Sequence, residues 1–189
     1  MPFVLLLGGA RSGKSALALE MARRAVSPVT FVATAESRDA EMAGRIARHR
    51  AERPAGWTTV EEPVDLLGAV TAGPAGAFLV VDCLTLWAAN LAGSGRSGAD
   101  IVGAARDVAG ALADRPAGAA VVSNEVGLGI VPANALARGF RDTMGSVNAA
   151  FAARAERAAL LVAGRVHELR PAAAFLEEIG WPARPPGAS

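Results

Sequence analysis

Eight residues near the amino terminus carry the strongest chemical signal. Gly8-Gly9-Ala10-Arg11-Ser12-Gly13-Lys14-Ser15 fits the spacing G-x-x-x-x-G-K-[ST]. Glycines there let the backbone turn tightly and aim its N–H groups at phosphate oxygens. A helix opening at the loop points the positive end of its dipole at the same anions. Lys14 reaches toward β- and γ-phosphates, and Ser15 offers a hydroxyl to Mg²⁺. Lys14 is also the only lysine among 19 basic residues, the rest being arginine. A compact ammonium fits such a loop, whereas a planar guanidinium is too wide. These residues predict a nucleoside-triphosphate site. Asp82, ending the apolar run Phe78-Leu79-Val80-Val81, is the expected second metal ligand.

A histidine lies among arginines in Arg45-Ile46-Ala47-Arg48-His49-Arg50-Ala51-Glu52-Arg53-Pro54. On a helix Arg45, His49 and Arg53 share a face, and Pro54 should end that helix. Guanidinium neighbours disfavour the protonated form of an imidazole, and neutral imidazole is a nucleophile. The arginines suit a triphosphate. A solvated basic face is the alternative. The second histidine, His167, is read as a surface residue past the last strand.

Ser123-Asn124-Glu125-Val126-Gly127-Leu128-Gly129 follows a fourth apolar run. Ligands of open α/β sheets bind beyond the carboxyl ends of strands. Asn124 and Glu125 therefore either meet substrate or metal, or face water in a turn. Arg138, Arg141 and Asp142 either form surface ion pairs or line the site.

The elements that must place these groups alternate along the chain. Apolar runs at Phe3–Leu7, Val29–Ala33, Ala77–Val81, Ala119–Ser123 and Ala159–Val162 are continuous, as in parallel strands buried on both faces. Helical patterns fall near Lys14–Ala25, Asp39–Glu52, Val64–Thr71, Asp100–Asp114 and Asn134–Arg157. Such alternation predicts a three-layer α/β sandwich with a mostly parallel central sheet. Gly93–Gly98 reads as a flexible loop. The expected division is a nucleotide-binding domain at 1–170, then a C-terminal helix and flexible tail at 171–189.

Bulk composition narrows the classes. The 189 residues are 52% hydrophobic and 20% charged, which supports a real core. The 44 alanines and the arginine excess suit a GC-rich coding bias. A net charge of +1 disfavours a nucleic-acid partner. No apolar stretch is long enough for a membrane span. No leader is read at the amino terminus. The single Cys83 cannot form an internal disulfide. Together these suggest a cytoplasmic protein.

The ordered set also resembles a known family. It comprises the 8–15 loop, Val32-Ala33-Thr34, Glu41-Met42, Arg45-Ile46 with His49-Arg50 and Arg53-Pro54, Trp57 with Thr59 and Glu61, and Asp82-Cys83-Leu84-Thr85. Asn90-Leu91, Ser123 to Gly127, Gly129 to Pro132, and Arg138 through Asn148 complete it. The resemblance is to the bifunctional adenosylcobinamide kinase / adenosylcobinamide-phosphate guanylyltransferases of cobalamin biosynthesis, from about residue 3 to 163.

That resemblance implies phosphorylation of adenosylcobinamide with ATP or GTP. It then implies GMP transfer from GTP through a guanylyl-histidine at His49, giving adenosylcobinamide-GDP and pyrophosphate. It implies a RecA-like P-loop fold and a homotrimer with active sites between subunits. The nucleotide contacts it implies are Gly8 to Ser15, Thr34, Ala35, Arg50, Ala51, Glu52, Arg53, Glu61 and Asp82. The alternatives are a P-loop small-molecule kinase without guanylyltransferase activity, or a non-catalytic GTP-binding regulator. Arg165–Leu169 and Ala149 depart from the family pattern.

Overall fold

The computed structural model describes residues 3–37 and 40–182, apart from the side chains of Glu41 and Arg45. Residues 183–189 of the expected C-terminal tail and the Arg45 side chain thus lie outside the described residues.

Seven strands form one sheet: β1 (Phe3–Gly8), β2 (Val29–Ala33), β3 (Thr58–Glu61), β4 (Phe78–Asp82), β5 (Ala119–Val122), β6 (Arg157–Val162) and β7 (Arg165–Leu169). Their order is β3-β2-β4-β5-β1-β6-β7. Every pairing is parallel except β6 with β7. The helices are α1 (Lys14–Arg24), α2 (Ala40–Ala51), α3 (Leu66–Ala72), α4 (Leu84–Gly93), α5 (Gly98–Ala113), α6 (Ala135–Ala152) and α7 (Ala172–Glu178).

Two apolar clusters give the three layers. On one face Phe3, Leu5, Val32, Leu79, Val81 and Val121 pack against Leu66, Trp87, Ile101, Leu112, Met144 and Phe151 from α3 to α6. On the other, Leu6, Phe31, Val80, Ala120 and Val122 pack against Ala18, Leu19 and Ala22 of α1. The strands supply both faces because their residues are apolar at odd and even positions alike. The expected mostly parallel three-layer architecture is the one observed.

Four elements differ from the sequence reading. β3 and β7 were not expected, and both are edge strands. Their partly solvated residues, Thr-Thr-Val-Glu and Arg-Val-His-Glu-Leu, lack the continuous apolar run of a central strand. His167 is exposed as expected, but it sits on β7 rather than past the last strand. α4 begins two residues after Asp82 and runs to Gly93, shortening the expected loop before α5. It buries Leu84, Trp87, Ala88 and Leu91, so no polar face marks its period. The last long helix stops at Ala152, since Arg157 already belongs to β6.

Helix starts follow local chemistry. Asp65 caps α3 and Asn134 caps α6, each accepting from a backbone N–H in the first turn. Ser97 and Asp100 make a capping box on α5. α1 starts instead on Gly13 in the left-handed region, with no side-chain cap. Its first N–H groups are left facing the loop, as an anion site requires.

Candidate functional site

The loop between β1 and α1 is shaped by close backbone contacts. Gly8 has φ +150°, and a Cβ there would lie 2.4 Å from the Leu161 carbonyl oxygen of β6. Gly13 has φ +101° and Arg11 φ +56°. The Ser12 carbonyl accepts from the Gly164 N–H at 3.0 Å, so the turn between β6 and β7 buttresses the loop from outside. The sequence reading passed over this buttress. The Ala163-Gly164 pair between two strands was its one available signal.

Lys14 is buried at 6% exposure. Its Nζ donates to the Gly9 carbonyl at 2.6 Å and to Ser12 Oγ at 3.3 Å. Burial pushes its pKa down, opposed by the charge of Asp82. Asp82 ends β4, level with Ala33 of β2 and Val122 of β5. Burial raises its carboxyl above the ordinary value. A side-chain hydrogen bond with Ser15 and the charges of His49, Arg53 and Lys14 pull the other way. Five of the expected site residues therefore act on one another around Asp82.

Thr34 and Ala35 leave β2 beside it. Thr34 is fully buried. Its Oγ1 donates to the Cys83 carbonyl at 2.7 Å and accepts from the Cys83 N–H at 2.8 Å. The Asp82–Cys83 peptide is cis. Asn90 on α4 donates from Nδ2 to the Thr34 carbonyl at 2.8 Å. Thr34 thus holds the ends of β2 and β4 together, which sets where Asp82 stands. Ala35 is half-buried beside it. Burial raises the Cys83 thiol to about 11, as suits an inert packing residue.

α2 carries the basic face. His49 is half-buried, and Arg50, Ala51 and Glu52 are exposed. Arg50 Nη2 pairs with Glu61 Oε1 at 2.6 Å, joining α2 to β3. The Arg53 guanidinium lies 3.8 Å from the centre of the Phe31 ring. Burial lowers its pKa, offset by Asp82. Arg23 of α1 donates to the Glu52 carbonyl at 3.2 Å.

Beyond β5, Asn124 and Glu125 emerge between the loop strand β1 and β4. Arg138 donates to the Pro132 and Ala133 carbonyls at 3.1 and 2.6 Å. Arg141 bonds its neighbour Asp142 at 3.0 Å. These contacts order the start of α6 and its surface.

Mg²⁺ commonly binds one or two protein oxygens together with phosphates. The Ser15 hydroxyl, which favours the charged form of the nearby Asp82 carboxylate, and that carboxylate itself are hard oxygen donors fitting that pattern. The unbonded N–H groups at the start of α1 and the Lys14 ammonium fit an anionic phosphate chain.

Residues 4–169 match the family model described as cobinamide kinase / cobinamide phosphate guanyltransferase. The bifunctional adenosylcobalamin biosynthesis protein CobP of Pseudomonas aeruginosa is 44% identical over 161 residues, covering 85% of this chain and 92% of the relative. The bifunctional adenosylcobalamin biosynthesis protein CobU of Salmonella typhimurium is 38% identical over 175 residues, covering 85% and 96%. Among solved structures, a KaiC-like protein from Pyrococcus horikoshii OT3 aligns with TM-score 0.48 and 16% identity, covering 84% of this chain and 70% of that one.

Proposed function

The chain belongs to the cobinamide kinase / cobinamide phosphate guanyltransferase family, and on that premise we propose how one site performs two transfers. In the first, ATP or GTP gives its γ-phosphoryl group to the hydroxyl of adenosylcobinamide. In the second, GMP passes from GTP to the new phosphate through His49.

The observation that carries this reading is the convergence on Asp82 of Ser15, His49, Arg53 and Lys14. Phosphoryl transfer needs positioning and charge stabilisation more than covalent chemistry. The loop from Gly8 through Ser15 supplies both, with N–H groups and the Lys14 ammonium around the phosphate chain. For guanylyl transfer, a ring nitrogen of His49 attacks the α-phosphorus with its lone pair. The bond from that phosphorus to the bridging oxygen breaks, and its electron pair leaves with pyrophosphate. The corrinoid phosphate then attacks the same phosphorus, and the P–N bond returns its pair to His49. Splitting the reaction avoids bringing two polyanions together in one step.

Arg50, Ala51, Glu52, Arg53, Glu61, Thr34 and Ala35 complete the proposed nucleotide site. Thr34 serves it through the Cys83 backbone. Ser15 and Asp82 would hold Mg²⁺, whose charge stabilises phosphate oxygens when bound. We further propose a cytoplasmic homotrimer. No helix among the described residues is long and apolar enough to cross a membrane. Light scattering at three times 19.1 kDa would bear out the trimer, and a monomer mass would overturn it.

Mass spectrometry after incubation with GTP tests the central step. The expected result is a GMP adduct on the peptide containing His49, absent in His49→Ala. A protein that phosphorylates the corrinoid without ever forming the adduct is a kinase alone.

A further inference from the structure

The kinase step needs a group that the residues assigned so far do not provide. Its acceptor is a neutral hydroxyl, which must lose a proton as it attacks. Asp82, ending β4 near Ser15, is assigned to the metal in the mechanism above. Glu61 is paired with Arg50 on the edge strand β3. A different carboxylate stands between the phosphate loop and Asp82.

β5 lies between β4 and β1. Its last residue, Val122, is level with Leu6 on one side and Asp82 on the other. The chain leaving β5 therefore emerges between the two halves of the phosphate site, and Glu125 is its first acid. The backbone there is tied from three elements. The Ser123 N–H donates to the Leu6 carbonyl at 2.9 Å, and the Glu125 N–H donates to the Gly8 carbonyl at 3.1 Å. The Asn124 N–H donates to Thr85 Oγ1 on α4 at 2.9 Å. Asn148 of α6, itself buried, donates from Nδ2 to the Asn124 carbonyl at 3.1 Å and accepts from Ser123 Oγ at 2.6 Å. Such fixing of the neighbouring shell is what a positioned catalytic group needs.

The side chain is half committed. Glu125 Oε1 accepts from the Gly127 N–H at 2.8 Å. A Cβ at residue 127 would stand 2.9 Å from that oxygen, so glycine makes room for the carboxylate. Oε2 makes no hydrogen bond or ion pair among the described residues. Just beyond, Leu128, Ile130 and Val131 are 79%, 97% and 61% exposed. An apolar surface beside a free carboxylate oxygen suits a large macrocyclic acceptor presenting a hydroxyl.

We propose that Glu125 is the general base of the kinase half-reaction, with Gly127 orienting its carboxylate. The inference rests on the kinase activity proposed above. The acceptor oxygen attacks the γ-phosphorus in line as its proton passes to Glu125 Oε2. The bond between the γ-phosphorus and the bridging oxygen breaks, and the electron pair leaves with the nucleoside diphosphate. Guanylyl transfer begins from an imidazole and a phosphate, neither of which needs this base.

The test compares both half-reactions in the full chain: corrinoid phosphorylation, and GMP transfer to supplied adenosylcobinamide phosphate. General bases contribute about 10²- to 10⁴-fold. In Glu125→Gln the kinase rate should fall about 100-fold or more, and the ratio of kinase to guanylyl-transfer rates at least about tenfold. Glu125→Asp should recover part of that ratio. Gly127→Ala, which crowds the carboxylate without removing it, should lower the ratio by an intermediate amount and covers the case in which the glutamine variant misfolds. An unchanged ratio in a folded Glu125→Gln or Gly127→Ala protein overturns the assignment. Wild-type protein that forms no corrinoid phosphate overturns the kinase reading itself, a failure visible before any variant is made.

Discussion

The phosphate loop and the helix carrying His49 are held in opposite ways. The loop is built into the core. Ser12 and Lys14 are each 6% exposed, Gly8 is pressed against β6, and the Gly164 amide braces the outer wall. Among the described residues of α2 none is buried. The end of that helix and the residues after it rest on a surface ion pair, a cation–π contact and one side-chain-to-backbone bond. In the proposed mechanism the loop binds phosphates common to both reactions, and preorganised donors belong in a rigid, buried setting. The helix carries His49, whose proposed role falls in guanylyl transfer alone, and its anchors are of the weakly stabilising kind. Damage to the loop should therefore be catalytic and general, whereas damage to the helix should be selective and cost little stability.

Lys14→Arg should show the largest effect. Its Nζ lies 2.6 Å from the Gly9 carbonyl in a buried turn, where a planar guanidinium would replace a compact ammonium. Both transfers should fall by roughly 10²- to 10³-fold, as when one preorganised donor is lost. An unchanged circular-dichroism spectrum would place the loss in chemistry rather than folding. Near-normal turnover would break the contrast at its strongest point.

Asp82→Asn sharpens the same side by stability. Burial holds the folded carboxyl above its ordinary value. Such an acid contributes stability below the ordinary carboxylate range and loses it as pH rises through the folded value. Without ligands, the variant should melt a few degrees higher than wild type near neutral pH, about 2–4 °C for each kcal/mol regained. The gain should fade toward acidic pH while activity is lost throughout. A lower melting temperature at neutral pH would show that the charged form stabilises the empty site.

Arg50→Ala should have the smallest effect on stability. The pair with Glu61 is more than half exposed on both sides, and such pairs contribute about 0–1 kcal/mol. Its melting curve should nearly overlay that of wild type, while formation of the GMP adduct slows more than corrinoid phosphorylation does. A large loss of stability would make α2 part of the core after all.

How much was legible varied with how local each feature is. The five central strands were visible because residues buried on both faces must be apolar without interruption, as Leu79-Val80-Val81 are. β3 and β7 were hidden because an edge strand keeps polar side chains, and α4 because a helix covered on nearly all sides loses its period. At the site, the loop was legible from spacing, and Asp82 from its place at the end of an apolar run once the loop was read. Thr34 was expected near the nucleotide, yet its hydroxyl is spent on Cys83, forty-nine residues away. No pattern in the sequence predicts that bond.

The sequence by itself determined the chemistry of the phosphate loop, since a tight turn, a lysine and a helix start are consecutive residues obeying local rules. It also determined that the five central strands would be parallel and buried. The tertiary structure alone decided which distant groups meet. Strand order puts β5 between β1 and β4, and so Glu125 between the loop and Asp82. The turn at Gly164 closes on Ser12, and Arg53 settles over Phe31. These contacts join residues tens of positions apart through shared burial, which depends on how the layers pack rather than on any residue's neighbours in the chain.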